Sequence, residues 1–262
     1  MIGGTMLYSS YTDSGKVRTH NEDCVMAEKL SESICLYTVC DGMGGARAGQ
    51  TASSVACAVY HSTLHAALTP YINTGGPSDT EAFALIEQAV QKANAEVYAL
   101  AQSESALEGM GTTLVSALVV NKTAYIVNVG DSRAYYYKHR KLQQITKDHS
   151  YVQYLLDNNM ITPEEAENHP HKNWITRSVG TSSEINPDFY TLELKKAEVI
   201  VLCSDGLTNM VSNDEIADEI TSVLTNTFIS FDELAARLVT IANDHGGTDN
   251  ISVLAFHTRK KH

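Results

Sequence analysis

Aspartates stand at the ends of apolar runs in this chain. Ile34 to Cys40 runs into Asp41-Gly42, and Val199 to Cys203 runs through Ser204 into Asp205-Gly206. Ala124 to Val129 leads into Gly130-Asp131-Ser132-Arg133, Asp249-Asn250 precedes the last apolar run, and Glu22-Asp23 follows shortly after Arg18. Taken singly, Asp-Gly is a tight-turn dipeptide. Repeated at the ends of several buried strands, such acids are held close together by a rigid sheet. Converging carboxylates repel and are costly without cations. Oxygen donors without His or Cys select Mg²⁺, Mn²⁺ or Ca²⁺ over zinc.

The elements that must position these acids follow from periodicity. Leu7 to Tyr11, Cys24 to Glu28 and Ile34 to Cys40 read as strands. A helix is expected from about Ala48 to Leu68. A second, capped by Thr80, carries Ile86, Val90, Ala93, Val97 and Leu100 on one face. Strands return at Thr112 to Val120, Thr123 to Val129, Ala134 to Tyr137 and Leu142 to Ile145, with the short separators of an antiparallel meander. Residues 147–180 are mixed and polar, with a helix start at Thr162-Pro163. Strands at Phe189 to Leu194 and Val199 to Cys203 precede two helices opened by the capping boxes Ser212-x-x-Glu215 and Ser230-x-x-Glu233. Ile251 to His257 reads as the last strand. Grouped rather than alternating helices argue α+β with antiparallel sheets.

Composition narrows the function classes. Lys and Arg number 19 against 31 Asp and Glu, a formal charge of -12, which disfavours binding to nucleic acid or to an anionic membrane. No apolar run approaches the roughly 18 residues of a membrane span. The opening Met1 to Met6 lacks the pattern of a signal peptide, and Met6 offers a second start. The five cysteines have no Cys-x-x-Cys spacing and mostly sit in apolar runs, so buried reduced thiols and a cytoplasmic setting are expected. With no linker or repeat, residues 6–258 read as one domain.

Seven stretches, in order, resemble the bacterial members of the metal-dependent protein Ser/Thr phosphatases, the PPM or protein phosphatase 2C family. They are Thr12 to Asp23, Val39 to Gly45, Gly109-Met-Gly-Thr-Thr113, Val129 to Arg133, Ile175 to Gly180, Leu202 to Leu207 and Gly247 to Ser252. The resemblance implies an αββα sandwich of two antiparallel sheets flanked by helix pairs, with a two-metal centre at one end. It implies that Asp41 bridges the metals, Gly42 lends a backbone carbonyl, and Asp205 and Asp249 are direct ligands. Glu22 and Asp23 resemble the acids that hold metal-bound waters, and Arg18 the phosphate-binding arginine. Asp131, with Asp205, resembles the ligands of a third metal, and residues 147–180 resemble the substrate-facing flap.

The implied activity is hydrolysis of phosphoserine and phosphothreonine on proteins. Mn²⁺ or Mg²⁺ would be the cofactor, with a hydroxide bridging the metals as nucleophile and no phosphoenzyme. Phosphoproteins and a cognate Ser/Thr kinase are the implied partners. Phosphate monoesters hydrolyse so slowly unaided that accelerations up to ~10²¹ are known. Two metals that activate water and clamp both reacting oxygens suit that task, and a guanidinium fork binds two phosphate oxygens at once.

Met43 departs from eukaryotic relatives, which usually place there a His proposed as general acid; His20, His169 and His171 are substitutes in sequence terms. His61 and His65, four apart on a helix, have no Glu in the zincin position and read as a helical surface or core pair. The glycines of Gly42 to Gly45 lack a following Gly-Lys-Ser/Thr, and Tyr135-Tyr136-Tyr137 reads as strand packing. The rival readings are a non-catalytic phosphoprotein binder and a hydrolase of small phosphate esters.

Overall fold

The computed structural model describes residues 5–195 and 198–259. The opening residues 1–4, read above as no signal peptide, lie outside the described residues. The chain forms β1 (Thr5–Asp13), β2 (Cys24–Lys29), β3 (Ile34–Cys40), β4 (Gly42–Met43), α1 (Ala46–Leu68), α2 (Asp79–Ser103), β5 (Gly111–Thr112), β6 (Leu114–Val120) and β7 (Thr123–Val129). Then follow β8 (Arg133–Lys138), β9 (Lys141–Gln144), α3 (Tyr151–Asp157), α4 (Pro163–Glu167), β10 (Asp188–Glu193), β11 (Val199–Cys203), α5 (Asp205–Thr208), α6 (Asn213–Thr225), α7 (Leu234–Asp244) and β12 (Ile251–Arg259).

Two antiparallel sheets of five strands stack face to face, in the orders β1-β12-β11-β8-β9 and β10-β7-β6-β3-β2. Between them lie Tyr37, Val39, Val115, Ile126, Leu202, Leu254 and Phe256, with Tyr37 stacked on Phe256 at 4.3 Å. α1 and α2 bury their apolar faces on the second sheet, and α6 and α7 on the first. Central strands are therefore covered on both sides, and β3, β6 and β11 are buried along their whole length. That double burial makes them continuous apolar runs, ending where the polar residues of one rim begin. The expected αββα sandwich is the observed one.

Three expectations are corrected. The meander does not stay in one sheet: β6 and β7 belong to one, β8 and β9 to the other. Gly130, at φ 109, makes that crossing, and a Cβ there would stand 2.6 Å from Thr113 Cγ2. α2 is capped by Ser78 rather than Thr80, because Glu81 reaches back to the Ser78 N–H at 2.8 Å and closes a capping box. The strand expected from Thr112 is broken at Thr113, which turns both its hydroxyl and its backbone to Asp41. The mixed 147–180 segment holds the expected helix after Thr162 and also α3, capped by Ser150, which the sequence reading did not place.

Candidate active site

Asp41 leaves the end of β3 and is gripped by the Gly-Thr-Thr stretch. Its N–H donates to Thr113 Oγ1 at 2.9 Å, and its carbonyl accepts from Thr112 Oγ1 and from the Thr113 N–H, both at 2.8 Å. Thr113 Oγ1 also pairs with Ser132 Oγ at 2.7 Å, next to Asp131. Gly42 follows where no side chain fits: a Cβ would lie 2.1 Å from the Gly49 carbonyl oxygen. The carbonyl-bearing turn thus packs directly on the first turn of α1.

Asp205 opens α5 after β11, and its Oδ2 accepts from Asn209 Nδ2 at 3.1 Å. Asn250 ties the β12 end to the loop after β1: its Nδ2 donates to the Ser14 and His20 carbonyls, and its Oδ1 accepts from the Glu22 N–H. Asp249 precedes it and accepts from Arg18 Nη2 at 2.9 Å. Arg18, Glu22, Asp41, Gly42, Met43, Asp131, Asp205 and Asp249 line one cleft of about 580 Å³. Asp23 lies buried apart from that wall. Its Oδ2 accepts from Ser204 Oγ at 2.9 Å, and its Oδ1 has no hydrogen-bond partner. A neighbouring pocket of about 480 Å³ shares Asp131 and Asp205 and runs along α3 and α4.

Burial and crowding set the electrostatics of these carboxyls. Burial, then the charges of Asp23, Asp205, Asp131 and Asp249, push the Asp41 carboxyl far above its ordinary range. Burial raises Asp23 to about 7 and Asp131 to about 8, with neighbouring aspartates adding to both. Asp205 and Glu22 are raised chiefly by burial. Among the described residues no three His, Cys, Asp or Glu side chains are placed to hold one ion between them. Asp249 is turned to Arg18. The unpartnered Asp23 oxygen, the all-oxygen donor set and the carbonyl at Gly42 nonetheless fit hard divalent ions completed by water.

The structure brings every predicted acid and Arg18 to one end of the sandwich. Of the three substitute histidines, His20 comes close to Glu22 and its carbonyl accepts from Asn250 Nδ2, yet none joins the lining. His20, His169 and His171 are absent from the cleft wall, and His171 stacks on Trp174 at 3.8 Å, with Trp174 itself on the wall. Sequence reasoning did not assign Thr112, Thr113, Ser204, Asn250 or Ser132. The signal for all five was their place inside the matched stretches, Ser204 standing just before Asp205.

A family model, Protein phosphatase 2C, matches residues 15–242. A serine/threonine phosphatase of Listeria welshimeri is 37% identical over 243 residues, 93% of this chain and 92% of that protein. The S. agalactiae serine/threonine phosphatase superposes with a TM-score of 0.86 at 32% identity, covering 97% of this chain and 100% of that one. The catalytic domain of the serine/threonine protein phosphatase PstP, solved in complex with two manganese ions, gives 0.80 at 32%, covering 97% and 99%. The chain belongs to the protein phosphatase 2C family. Within it, the chain is a metal-dependent protein serine/threonine phosphatase. Neither rival reading, the non-catalytic binder or the small-ester hydrolase, is favoured by these likenesses.

Proposed function

We propose that Asp41, the Gly42 carbonyl, Asp205 and Asp249 hold two Mn²⁺ or Mg²⁺ ions, with Glu22 and Asp23 fixing their waters and Asp131 joining Asp205 at a third. The observation that carries this is the convergence of six acids at one end of the sandwich, among which burial, and then the neighbouring charges, raise Glu22, Asp23, Asp41, Asp131 and Asp205. Bound there, the ions supply an activated water and a clamp on phosphate oxygens. Thr112 and Thr113 keep Asp41 from turning away, and Asn250 holds the Glu22 backbone against the same rim. Arg18, at the lip of the cleft, would grip two phosphate oxygens with its guanidinium fork. Asp131 serves proton delivery to the departing alkoxide, since the Met43 thioether has no proton to give. Residues 147–180 act as the flap that receives the substrate, and residues 6–258 as one catalytic domain. A cytoplasmic setting and a cognate Ser/Thr kinase as opponent complete the reading. The likeness to the manganese-bound PstP structure supports the metal assignment.

Calorimetric Mn²⁺ titration of metal-stripped protein tests the ligand set. Asp41→Asn should abolish tight binding, whereas Asp131→Ala should keep two tight ions. Unaltered Mn²⁺ binding in Asp41→Asn would contradict the assignment.

A further inference from the structure

The turn that sets Asp131 on the cleft wall is held by His149, a residue the sequence did not single out. Gly130 precedes Asp131, and both of its backbone polar groups meet His149. The Gly130 N–H donates to His149 Nδ1 at 3.1 Å, and the Gly130 carbonyl accepts from the His149 N–H at 2.9 Å. Asn128 Nδ2 gives that carbonyl a second bond at 3.1 Å. Gly130 and His149 are both buried, so without the ring the Gly130 N–H would be a buried donor with no acceptor.

The hydrogen bonds fix the His149 tautomer. A backbone N–H can only donate, so Nδ1 carries no proton and the neutral ring has its proton on Nε2. Asp188 Oδ2, on β10, stands 3.3 Å from Nε2 to take that proton, and Asp188 Oδ1 accepts from Arg177 Nη1 at 2.9 Å. Arg177 Nη1 also comes within 3.2 Å of Nε2. Two donors meet there, so both turn to the Asp188 carboxylate. Burial and then the Arg177 charge lower the affinity of the ring for a second proton, which keeps Nδ1 bare. The backbone on either side of the ring reaches the substrate-facing wall. The His149 carbonyl accepts from the Thr176 N–H, and the Tyr151 N–H donates to the Trp174 carbonyl, both at 2.8 Å, with Ser150 bridged to Ile175 between them. Trp174 and Ile175 line the cleft together with Asp131.

We infer that His149 is a positioning residue for the hydrolysis. Through Gly130 it fixes where the Asp131 carboxylate stands relative to the Trp174–Ile175 wall, and Asp188 with Arg177 holds the ring in the tautomer that does so. The inference rests on the role proposed above for Asp131. His149 acts through the turn and not on the substrate, so its effect belongs to kcat, where the placement of Asp131 counts, rather than to KM.

The test compares His149→Asn with His149→Gln in the whole chain with Mn²⁺, on a phosphothreonine peptide and on p-nitrophenyl phosphate. The Asn side-chain oxygen reaches the Nδ1 position and can still accept from Gly130, whereas the Gln amide reaches the Nε2 position and leaves that N–H without a partner. His149→Gln should lower kcat on the peptide about 10- to 100-fold, the cost of a small misplacement, with KM little changed and a smaller loss on p-nitrophenyl phosphate. His149→Asn should recover most of that kcat. Asp188→Ala keeps the ring but frees its Nε2 proton, and should lower the same kcat by less. In an Asp131→Ala background, His149→Gln should cost almost no further peptide turnover, since the group that it positions is gone. In metal-stripped protein, proton–nitrogen correlation spectra of the histidine rings should show His149 bare at Nδ1 and protonated at Nε2. A wild-type peptide kcat in folded His149→Gln, or in Asp188→Ala where His149→Gln does not fold, would overturn the inference. So would a raised KM at unchanged kcat, losses that multiply in the double variant, or a proton on His149 Nδ1. Wild-type peptide turnover by Asp131→Ala alone would overturn the reading of Asp131, and the inference with it.

Discussion

Arg18 and Asp249 form an ion pair at the lip of the cleft, with side chains 53% and 34% exposed. An exposed pair of this kind contributes little to stability, so the arginine is free to serve a ligand. Arg18→Ala removes charge-assisted bonds of about 1.5–3 kcal/mol each. That should lower kcat/KM on a phosphopeptide roughly 10- to 100-fold while leaving the melting temperature nearly unchanged, and Arg18→Lys should recover only part. An unchanged kcat/KM would make Arg18 a surface charge. Asp131 is separable from the other acids by leaving group. Asp131→Ala should lose phosphopeptide turnover severely but hydrolysis of p-nitrophenyl phosphate less, because that leaving group scarcely needs a proton. Equal losses on both, in a variant that melts early, would reduce Asp131 to a turn residue. At this scale the sequence was legible wherever an acid followed an apolar run. The Glu28 partner of His61 and His65 was not, since strand pairing and helix packing, rather than spacing, bring residues 33 and 37 positions apart together.

The turn from β7 to β8 carries the chain from one sheet to the other and sets Asp131 on the cleft wall. Gly130 makes it possible at φ 109, with Thr113 packed against its α-carbon. Gly130→Ala should cost about 1–3 kcal/mol of stability through backbone strain alone. It should also displace Asp131, and with it the Thr113 contact to Ser132 that leads back to Asp41. Thermal melting together with phosphopeptide kcat should show both losses, whereas a wild-type kcat in a merely less stable variant would separate the turn from the chemistry. Strand and helix existence was largely readable here, because central strands buried on both faces are continuous apolar runs. Which sheet each strand joins was not readable. Short separators look alike whether the chain turns back within a sheet or crosses to the next. The Ser78 cap was likewise hidden by Thr80, an equally good capping residue type two positions later.

Over the whole molecule, the acid cluster couples folding to protons and to metal. In the metal-free protein Asp23 and Asp131 are raised to about 7 and about 8, against an unfolded value near ~3.9. The folded state then binds more protons than the unfolded one between those limits. Their contribution to stability is fully present below about pH 4 and is lost as pH rises through 7 and 8. The melting temperature of stripped protein should therefore fall from pH 6 to about pH 8.5. Saturating Mn²⁺ should raise it most at the alkaline end and flatten the slope. Parallel curves with and without Mn²⁺ would mean that the ion does not bind at these carboxylates.

Hydrolysis of a phosphothreonine peptide by metal-stripped wild-type protein and Asp41→Asn, each with and without Mn²⁺, bears most directly on the claim that the carboxylate-lined cleft is a metal centre for phosphoprotein hydrolysis. Stripped wild type should be inactive and recover fully on adding Mn²⁺, while Asp41→Asn should stay folded and fall roughly 10³-fold or more with Mn²⁺ present. Full turnover in excess chelator, or wild-type turnover by Asp41→Asn, would contradict the account.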